Sequence, residues 1–471
     1  MQSNYTKKTF AIFWQHLRVY RWQASLAFVA VILGSIANMY APILYKHFFD
    51  LFGAGASVGI FVKVLIQLLI IHLVAWLFWR LANFSISWFQ SRTMFDLANY
   101  CFAYLHKHSL SFFHNNFVGS LVKRVNRFTS GFEVITDIIF FELLQIAVKS
   151  SIIVVVLFLK NVWLGVLMAI WIVVFFGLNY WFSLYKLKYD VERSKVDSKV
   201  TGLLADTITN QQNIKLFNGY GRELATFREI TNTHRRMRLF NWNLGNAFEA
   251  GQAFLMIVLE FIIFYVALKL WQRGLATIGD FVLLQAYLLT LFDHLWGLGR
   301  VIRRYYESLA EADEMTEILE KPHEIQDSLA AKPLVVTKGE IEFREVSFCY
   351  NQTRRIFKKF NLTIKPGERV AVVGPSGSGK TTLIAILLRH YDLESGKILI
   401  DDQKLAGVTQ ESIWQNISLV PQDPILFHRT LMENIRYSKP EATDEEAADA
   451  AKLAYAHDFI MNCPEQYQTY V

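Results

Sequence analysis

Six apolar runs, each close to the length a helix needs to cross a bilayer, restrict what this 471-residue chain can become more than any other feature. They lie near residues 24–46, 58–84, 134–159, 162–184, 246–269 and 279–298, and a span needs about 20 residues. The chain is 53% hydrophobic and holds 38 Phe, 20 Tyr and 12 Trp. A large soluble protein would scatter such residues through its core, whereas here they gather into runs, with rings available to sit at headgroup level. The first run has neither the short apolar core nor the small-residue cleavage site of a signal peptide, so it is expected to be retained as a helix.

The basic residues set the expected topology. Lys7, Lys8, Arg18 and Arg21 precede the first run, and Arg92, Lys107, Lys123, Arg124 and Arg127 lie between the second and third. The segment between the fourth and fifth is rich in Lys and Arg from Lys186 to Arg238. The other connections are short and hold little beyond Lys46, Lys160, Lys269 and Arg273. By the positive-inside rule the N-terminus and both long segments are cytoplasmic. Leu203, Leu204, Ile208, Ile214 and Leu216 recur at helical spacing, so the helices are expected to continue into the cytoplasm. Before the first run, Phe10, Phe13, Trp14 and Leu17 form an apolar stripe beside Arg18 and Arg21. That pattern predicts a helix lying on the membrane surface, the alternative being a helix packed on protein.

The runs also contain residues that lipid rejects: Glu142, Gln145 and Lys149 in the third, and Glu249, Gln252 and Glu260 in the fifth. Such groups are expected to face the protein interior, either along a cargo path or in helix-to-helix contacts. After the sixth run the texture changes. Residues 311–320 are acidic, Pro322 and Pro333 follow, and strand-like alternation begins at Ile341. A boundary near 330 is expected, with a membrane domain at 1–330 and a second domain at 335–471. Cys101, Cys349 and Cys463 are far apart and have no metal-ligand or redox spacing.

The chemistry lies in the second domain. Residues 374–381 read GPSGSGKT, the eight-residue phosphate-loop pattern. Its residues Gly374, Pro375, Ser376, Gly377, Ser378 and Gly379 let the backbone curl so that N–H groups face phosphate oxygens. Lys380 brings positive charge to the β- and γ-phosphates, and the Thr381 hydroxyl is placed to ligate Mg²⁺. Residues 369–373 form an apolar strand candidate entering the loop, and 382–390, starting at Thr382, an apolar helix candidate leaving it, whose N-terminus favours anions. Tyr350 ends a strand-like stretch 24 residues before Gly374, where its ring is placed to stack on adenine. Gln422, after a second strand candidate at 417–420, is placed to reach Mg²⁺ or attacking water.

Tyr350, GPSGSGKTT at 374–382, SGKILIDD at 395–402 and VPQDPILFHRTLMENI at 420–435 together resemble the first half of an ATP-binding cassette of the exporter type. The resemblance runs upstream. SFFHNNFVGSLVKRVNRFT at 111–129 is similar to the first cytoplasmic coupling segment of those exporters, and LLADTITNQQNIKLFN at 203–218 to the stretch leading to the second. GLATIGDFVLLQAY at 274–287 resembles their sixth helix as it begins, and EILEKPHEIQD at 317–327 their linker.

The resemblance implies a fold class of an all-α six-helix transmembrane domain joined to an α/β P-loop nucleotide-binding domain. It implies an ABC-type ATPase that exports or flips a substrate, with ATP and Mg²⁺ as cofactors and Tyr350, residues 374–382 and Gln422 at the nucleotide. A second half-transporter, identical or closely related, completes the site in this family. The expected setting is the plasma or bacterial inner membrane, in contact with lipid. The cargo is an unspecified small molecule, lipid or peptide, and no nucleic-acid partner is expected. An ATP-binding channel or regulatory membrane protein is the alternative, and a soluble P-loop kinase or GTPase is disfavoured by the six runs. The family's signature loop, magnesium-binding aspartate with its adjacent catalytic glutamate, and switch histidine find no match. The cassette is therefore expected to be incomplete, with no catalytic residue in this chain and no hydrolysis by it. ILIDD at 398–402 mimics an apolar strand ending in acids but resembles a structural strand, so neither Asp401 nor Asp402 is assigned catalysis.

Overall fold

The structure is a computed structural model that describes residues 5–471 apart from 54, 351–353 and 423. The chain divides after Glu324 into two units, 1–324 and 325–471.

The first unit is helical. A short helix α1 (Thr6–Leu17) precedes α2 (Arg21–Gly53), α3 (Val58–Leu105), α4 (Leu110–Asn115) and α5 (Val118–Asp137). A π-helical turn at Ile138–Leu143 joins α5 to α6 (Leu144–Lys160). Then come α7 (Val162–Thr209), α8 (Gln211–Leu216), α9 (Tyr220–Gln272), α10 (Ile278–Trp296) and α11 (Leu298–Leu319). All six apolar runs lie within helices long and apolar enough to span a bilayer. Several far exceed a span: α3 and α7 have 48 residues each and α9 has 53. At 1.5 Å per residue such helices exceed roughly 70 Å, against a hydrocarbon core of about 30 Å. Residues 203–216, whose apolar spacing is helical, lie on α7 and α8 apart from the turn at Asn210.

Two large packed regions and a smaller one around Leu44, Val64 and Leu68 hold the unit together. One large region gathers Phe13, Phe89, Phe128, Phe132, Leu309 and Met315, and the other Met39, Ile153, Met168, Leu259, Tyr287 and Leu291. Tyr287 is fully buried, and its hydroxyl donates to the Met39 carbonyl at 3.0 Å. The acidic stretch 311–320 lies on α11 and the residue after it, where Glu311 and Glu314 face Arg127 and Arg124 of α5 at 3.5 and 3.8 Å.

Helix α1 packs one side of its stripe on protein, as the alternative reading expects. Phe13 is buried against Phe128 and Phe132, with ring centroids 5.0 and 5.4 Å away, and Phe10 stacks on Tyr305. Thr6 and Thr9 donate to the Asp313 carboxylate at 2.7 and 2.5 Å, and Lys8 pairs with Glu320. The apolar stripe is thus covered by protein because α5 and α11 supply a surface for it. Of the stripe, Trp14 alone is exposed.

The second unit is built on an antiparallel sheet ordered β2-β1-β3-β4. Strand β1 (Ile341–Tyr350) pairs with β2 (Arg354–Ile364) on one side and β3 (Ser395–Ile400) on the other, so that Ile341 faces both Ile364 and Ile400. Strand β4 (Gln403–Lys404) extends it. Helix α12 (Lys380–Leu387) lies on this sheet, with Leu383, Ile386 and Leu387 packed among Phe343, Val346, Phe348, Ile398 and Ile400. Helices α13 (Gln410–Asn416), α14 (Leu431–Ile435), α15 (Asp444–Leu453) and α16 (His457–Met461) follow.

The two strand candidates at 369–373 and 417–420 require a correction. Among the described residues neither is in a strand, and Val373 and Val420 are about nine-tenths exposed. Apolar character made both segments look like core strands, but a strand exists only where a neighbour exchanges ladder hydrogen bonds with it. The described strands all pair elsewhere.

Candidate functional site

The phosphate loop owes its shape to its glycines. Gly377 and Gly379 take φ of +81° and +97°, a region that side chains disfavour. A Cβ on Gly379 would also sit 2.7 Å from Ile356 Cγ2. The turn delivers the chain directly into α12, so the unsatisfied N–H groups of its first turn open toward the loop. Packing of Leu383, Ile386 and Leu387 on the sheet fixes that helix and its N-terminus. Arg389 anchors the other end: it is buried, at φ +51°, and its guanidinium donates to Asp327 and to the Gln326, Leu405 and Val408 carbonyls.

Lys380 begins the helix and folds back over the loop, its Nζ donating to the Gly374 carbonyl at 2.7 Å and the Pro375 carbonyl at 2.9 Å. The ammonium is thereby held over the loop by two of its backbone carbonyls. Thr381 is exposed, and among the described residues its hydroxyl makes no hydrogen bond. Thr382 points inward and is buried.

Tyr350 joins this site from β1. Its hydroxyl donates to Thr382 Oγ1 at 3.2 Å, and its ring meets Phe348 and Tyr391 edge-on at 4.8 and 5.1 Å. The contact with Thr382 has no local sequence signal, since the two residues are 32 apart. Gln422 lies exposed in the irregular stretch after Val420, and among the described residues no hydrogen bond joins it to the loop.

Asp401 has a different task. At φ +46° its carboxylate accepts four backbone N–H groups, from Thr337 at 2.7 Å, Lys338 at 2.8 Å, Gly339 at 3.1 Å and Glu340 at 2.9 Å. Those of Lys338, Gly339 and Thr337 hold the carboxyl far below the ordinary aspartate range. A carboxylate so held is a clasp for the chain entering β1, and the bonds that favour its charged form make it a poor proton acceptor. Because the folded-state value is depressed, the clasp is complete above the ordinary aspartate range and loosens only as pH falls beneath it. Asp401→Ala should therefore lower the melting temperature at neutral pH while leaving nucleotide affinity per folded molecule unchanged. A loss of affinity without loss of stability would return Asp401 to the site.

The polar residues of the spans separate by environment. Lys149 is buried, and its Nζ donates to Gln145 Oε1 at 2.9 Å and to His294 Nε2 of α10 at 2.6 Å. Gln252 is buried and donates to Asn179 Oδ1 at 2.8 Å, beside a cavity of about 320 Å³ lined by Phe175, Phe248 and Leu255. Glu142 and Glu260 are half-buried and Glu249 is exposed, so the three polar residues of the fifth run do not share one environment. His294, 145 residues from Lys149, carried no signal in the sequence that would have paired the two.

Known proteins with these features are numerous. The ABC transporter transmembrane region family matches residues 25–295, and the ABC transporter family, its ATP-binding domain, matches 357–467. The mitochondrial iron-sulfur clusters transporter ATM1 of Gibberella zeae is 29% identical over 457 residues, covering 95% of this chain and 66% of that protein. The ATM1-type heavy metal exporter of Novosphingobium aromaticivorans is 28% identical over 450 residues, covering 94% of this chain and 74% of its own length. The solved structure of a bacterial Atm1-family ABC exporter with ATP bound superposes with a TM-score of 0.81 at 28% identity, over 96% of this chain and 80% of that one. The chain thus spans just under two thirds of the Gibberella relative. With a transmembrane region matched over more than half its length and a phosphate loop in the matched ATP-binding domain, this chain belongs to the ABC transporter family.

Proposed function

We propose that this protein is an ATP-driven exporter half of the Atm1 type that works as a pair of halves, with ATP binding closing the paired cassettes and hydrolysis resetting them. The observation that carries the reading is one chain holding both six helices long and apolar enough to span a membrane and a glycine-rich loop whose lysine folds back over it onto the Gly374 and Pro375 carbonyls. The similarity to an Atm1-family exporter solved with ATP bound supports it. A homodimer is the simplest pairing, and the ATM1-type names of the relatives make a metal-containing or metal-binding small molecule the first class of cargo to try.

At the nucleotide, residues 374–380 cradle the phosphates and Lys380 offsets their charge. The Thr381 hydroxyl, exposed and without a protein partner among the described residues, suits a hard cation that takes oxygen ligands, with the Gln422 amide oxygen as its second protein ligand. Mg²⁺ bound there supplies positive charge to the β- and γ-oxygens. Tyr350, fixed by Thr382, offers its ring to adenine. Tyr350→Ala should weaken nucleotide binding by about 1 kcal/mol, close to fivefold in Kd. An unchanged Kd in equilibrium titration would reduce Tyr350 to packing.

The basic segments support a cytoplasmic N-terminus and cassette. Single cysteines at 55 or 275 should react with an impermeant reagent from outside intact cells, and those at 120 or 210 only after permeabilisation. The reverse pattern overturns the orientation. Screening the purified intact protein for compounds that stimulate Lys380-dependent ATP hydrolysis tests the function itself: a regulatory ATP-binding protein shows no cargo-dependent stimulation.

A further inference from the structure

With Phe13 buried in the protein, the outward side of the α1–α2 junction is left with a different composition. Trp14, Arg18, Arg21 and Trp22 are exposed there, the two tryptophans by 66% and 74%. Helix α3 adds Trp88 and Arg92, also exposed. Tyr20 ties the two elements together: its ring meets Trp88 edge-on at 5.7 Å and its hydroxyl donates to Asp96 at 2.8 Å. The Arg92 guanidinium lies over the Trp88 ring at 4.4 Å, and that of Arg21 over the Trp22 ring at 5.5 Å.

The position of this patch is set by the spans. Residues 21 and 22 come just before the first apolar run, which begins near 24, and residues 88 and 92 just after the second, which ends near 84. Since α2 and α3 run in opposite directions across the bilayer, both pairs lie at the same membrane boundary. That boundary is where phospholipid headgroups are, and tryptophan rings favour it.

We propose that Arg18, Arg21 and Arg92, framed by Trp14, Trp22 and Trp88, form a binding surface for the headgroup of an anionic phospholipid. The patch carries three guanidinium groups, and Asp96, one turn beyond Arg92 on the same helix, is already bonded to Tyr20. A guanidinium stacked on an indole keeps its edge N–H groups free, and that edge matches the two non-bridging oxygens of a phosphodiester. Two of the three arginines are held in this way. The tryptophan bodies meet the acyl-chain side of the same lipid, so the surface excludes a zwitterionic neighbour by charge and a soluble anion by its lack of a chain.

The test uses the intact protein in nanodiscs of phosphatidylcholine with a minor share of phosphatidylglycerol, and reads the immobilised fraction of spin-labelled lipid of each type. The wild type should retain phosphatidylglycerol in preference to phosphatidylcholine. Each neutralised arginine should reduce that preference, by up to about fivefold at low salt, so R18Q/R21Q/R92Q should lose most of it. The charge-retaining R18K/R21K/R92K, which lacks the planar fork, should keep an intermediate preference. An unchanged preference in the glutamine variant, or equal loss in both variants, overturns the proposal. So does release of the labelled lipid by inorganic phosphate beyond that caused by chloride at equal ionic strength, which would mark a soluble-phosphate site.

Discussion

Lys380→Ala should reduce ATP-dependent cargo movement to background while the protein still inserts and folds in the membrane. The Lys380 ammonium lies across the phosphate loop, bonded to the Gly374 and Pro375 carbonyls. Those bonds contribute only about 1 kcal/mol each to the fold, so their loss is tolerable. Phosphoryl transfer depends differently on the residue. The reaction has little covalent chemistry for the protein to perform, and most of its catalysis is positioning and charge stabilisation. Removing one preorganised charge partner from such a site typically costs about a hundredfold to a thousandfold in turnover. The check is parallel measurement of ATP-dependent transport and of protein recovered in the membrane fraction. Undiminished transport by the variant would remove the phosphate loop from the account.

Gly279→Ala should be nearly as damaging, through the fold instead of the chemistry. Helix α10 begins against α2 so closely that a Cβ on Gly279 would overlap the Lys46 carbonyl oxygen and lie 2.5 Å from Asp50 Oδ1. The Gly279 N–H donates to Asp50 at 2.9 Å, Lys46 Nζ bonds Asp50 at 2.5 Å, and Asp280 lies between Lys46 at 3.4 Å and Lys160 at 3.2 Å. One added methyl group must push these ends apart and strand partly buried charges, a loss of roughly 3–5 kcal/mol. That is a large share of a folded domain's roughly 5–15 kcal/mol. Thermal unfolding in detergent and folded yield measure it, with Gly177→Ala as the comparison, because a Cβ there meets nothing within 4 Å. Equal behaviour of the two variants would mean that the close approach at Gly279 is not needed.

What could be read in advance follows from the range of each interaction. The six spans were legible because a bilayer imposes length and composition on contiguous residues, and all six runs lie in helices of span length. The glycine-rich loop was legible as a motif because its residues lie within eight positions, and Gly377 and Gly379 take the positive φ that such a turn requires. Gly279 and Phe13 show the limit. The first appears only as a glycine near a helix start until Lys46 is seen beside it, 233 positions earlier in the chain. Phe13 belongs to an amphipathic stripe that suits lipid and protein equally, and only the presence of Phe128 and Phe132 decides between them. Residues 369–373 and 417–420 failed for a related reason: apolar extended sequence signals a buried strand, but pairing is a property of two segments. Lys149 was recognised as foreign to lipid, yet its partner on α10 lay beyond any periodic pattern.

The central claim is that ATP drives cargo across the membrane through this protein. Its most direct test is uptake into inside-out vesicles containing the intact protein, measured with a compound identified by its stimulation of ATP hydrolysis. The account predicts accumulation above the external concentration that requires ATP and Mg²⁺ and is lost in Lys380→Ala. Cargo that only equilibrates across the membrane, at a rate set by ATP binding and equal with a non-hydrolysable analogue, would contradict it and identify a nucleotide-gated channel.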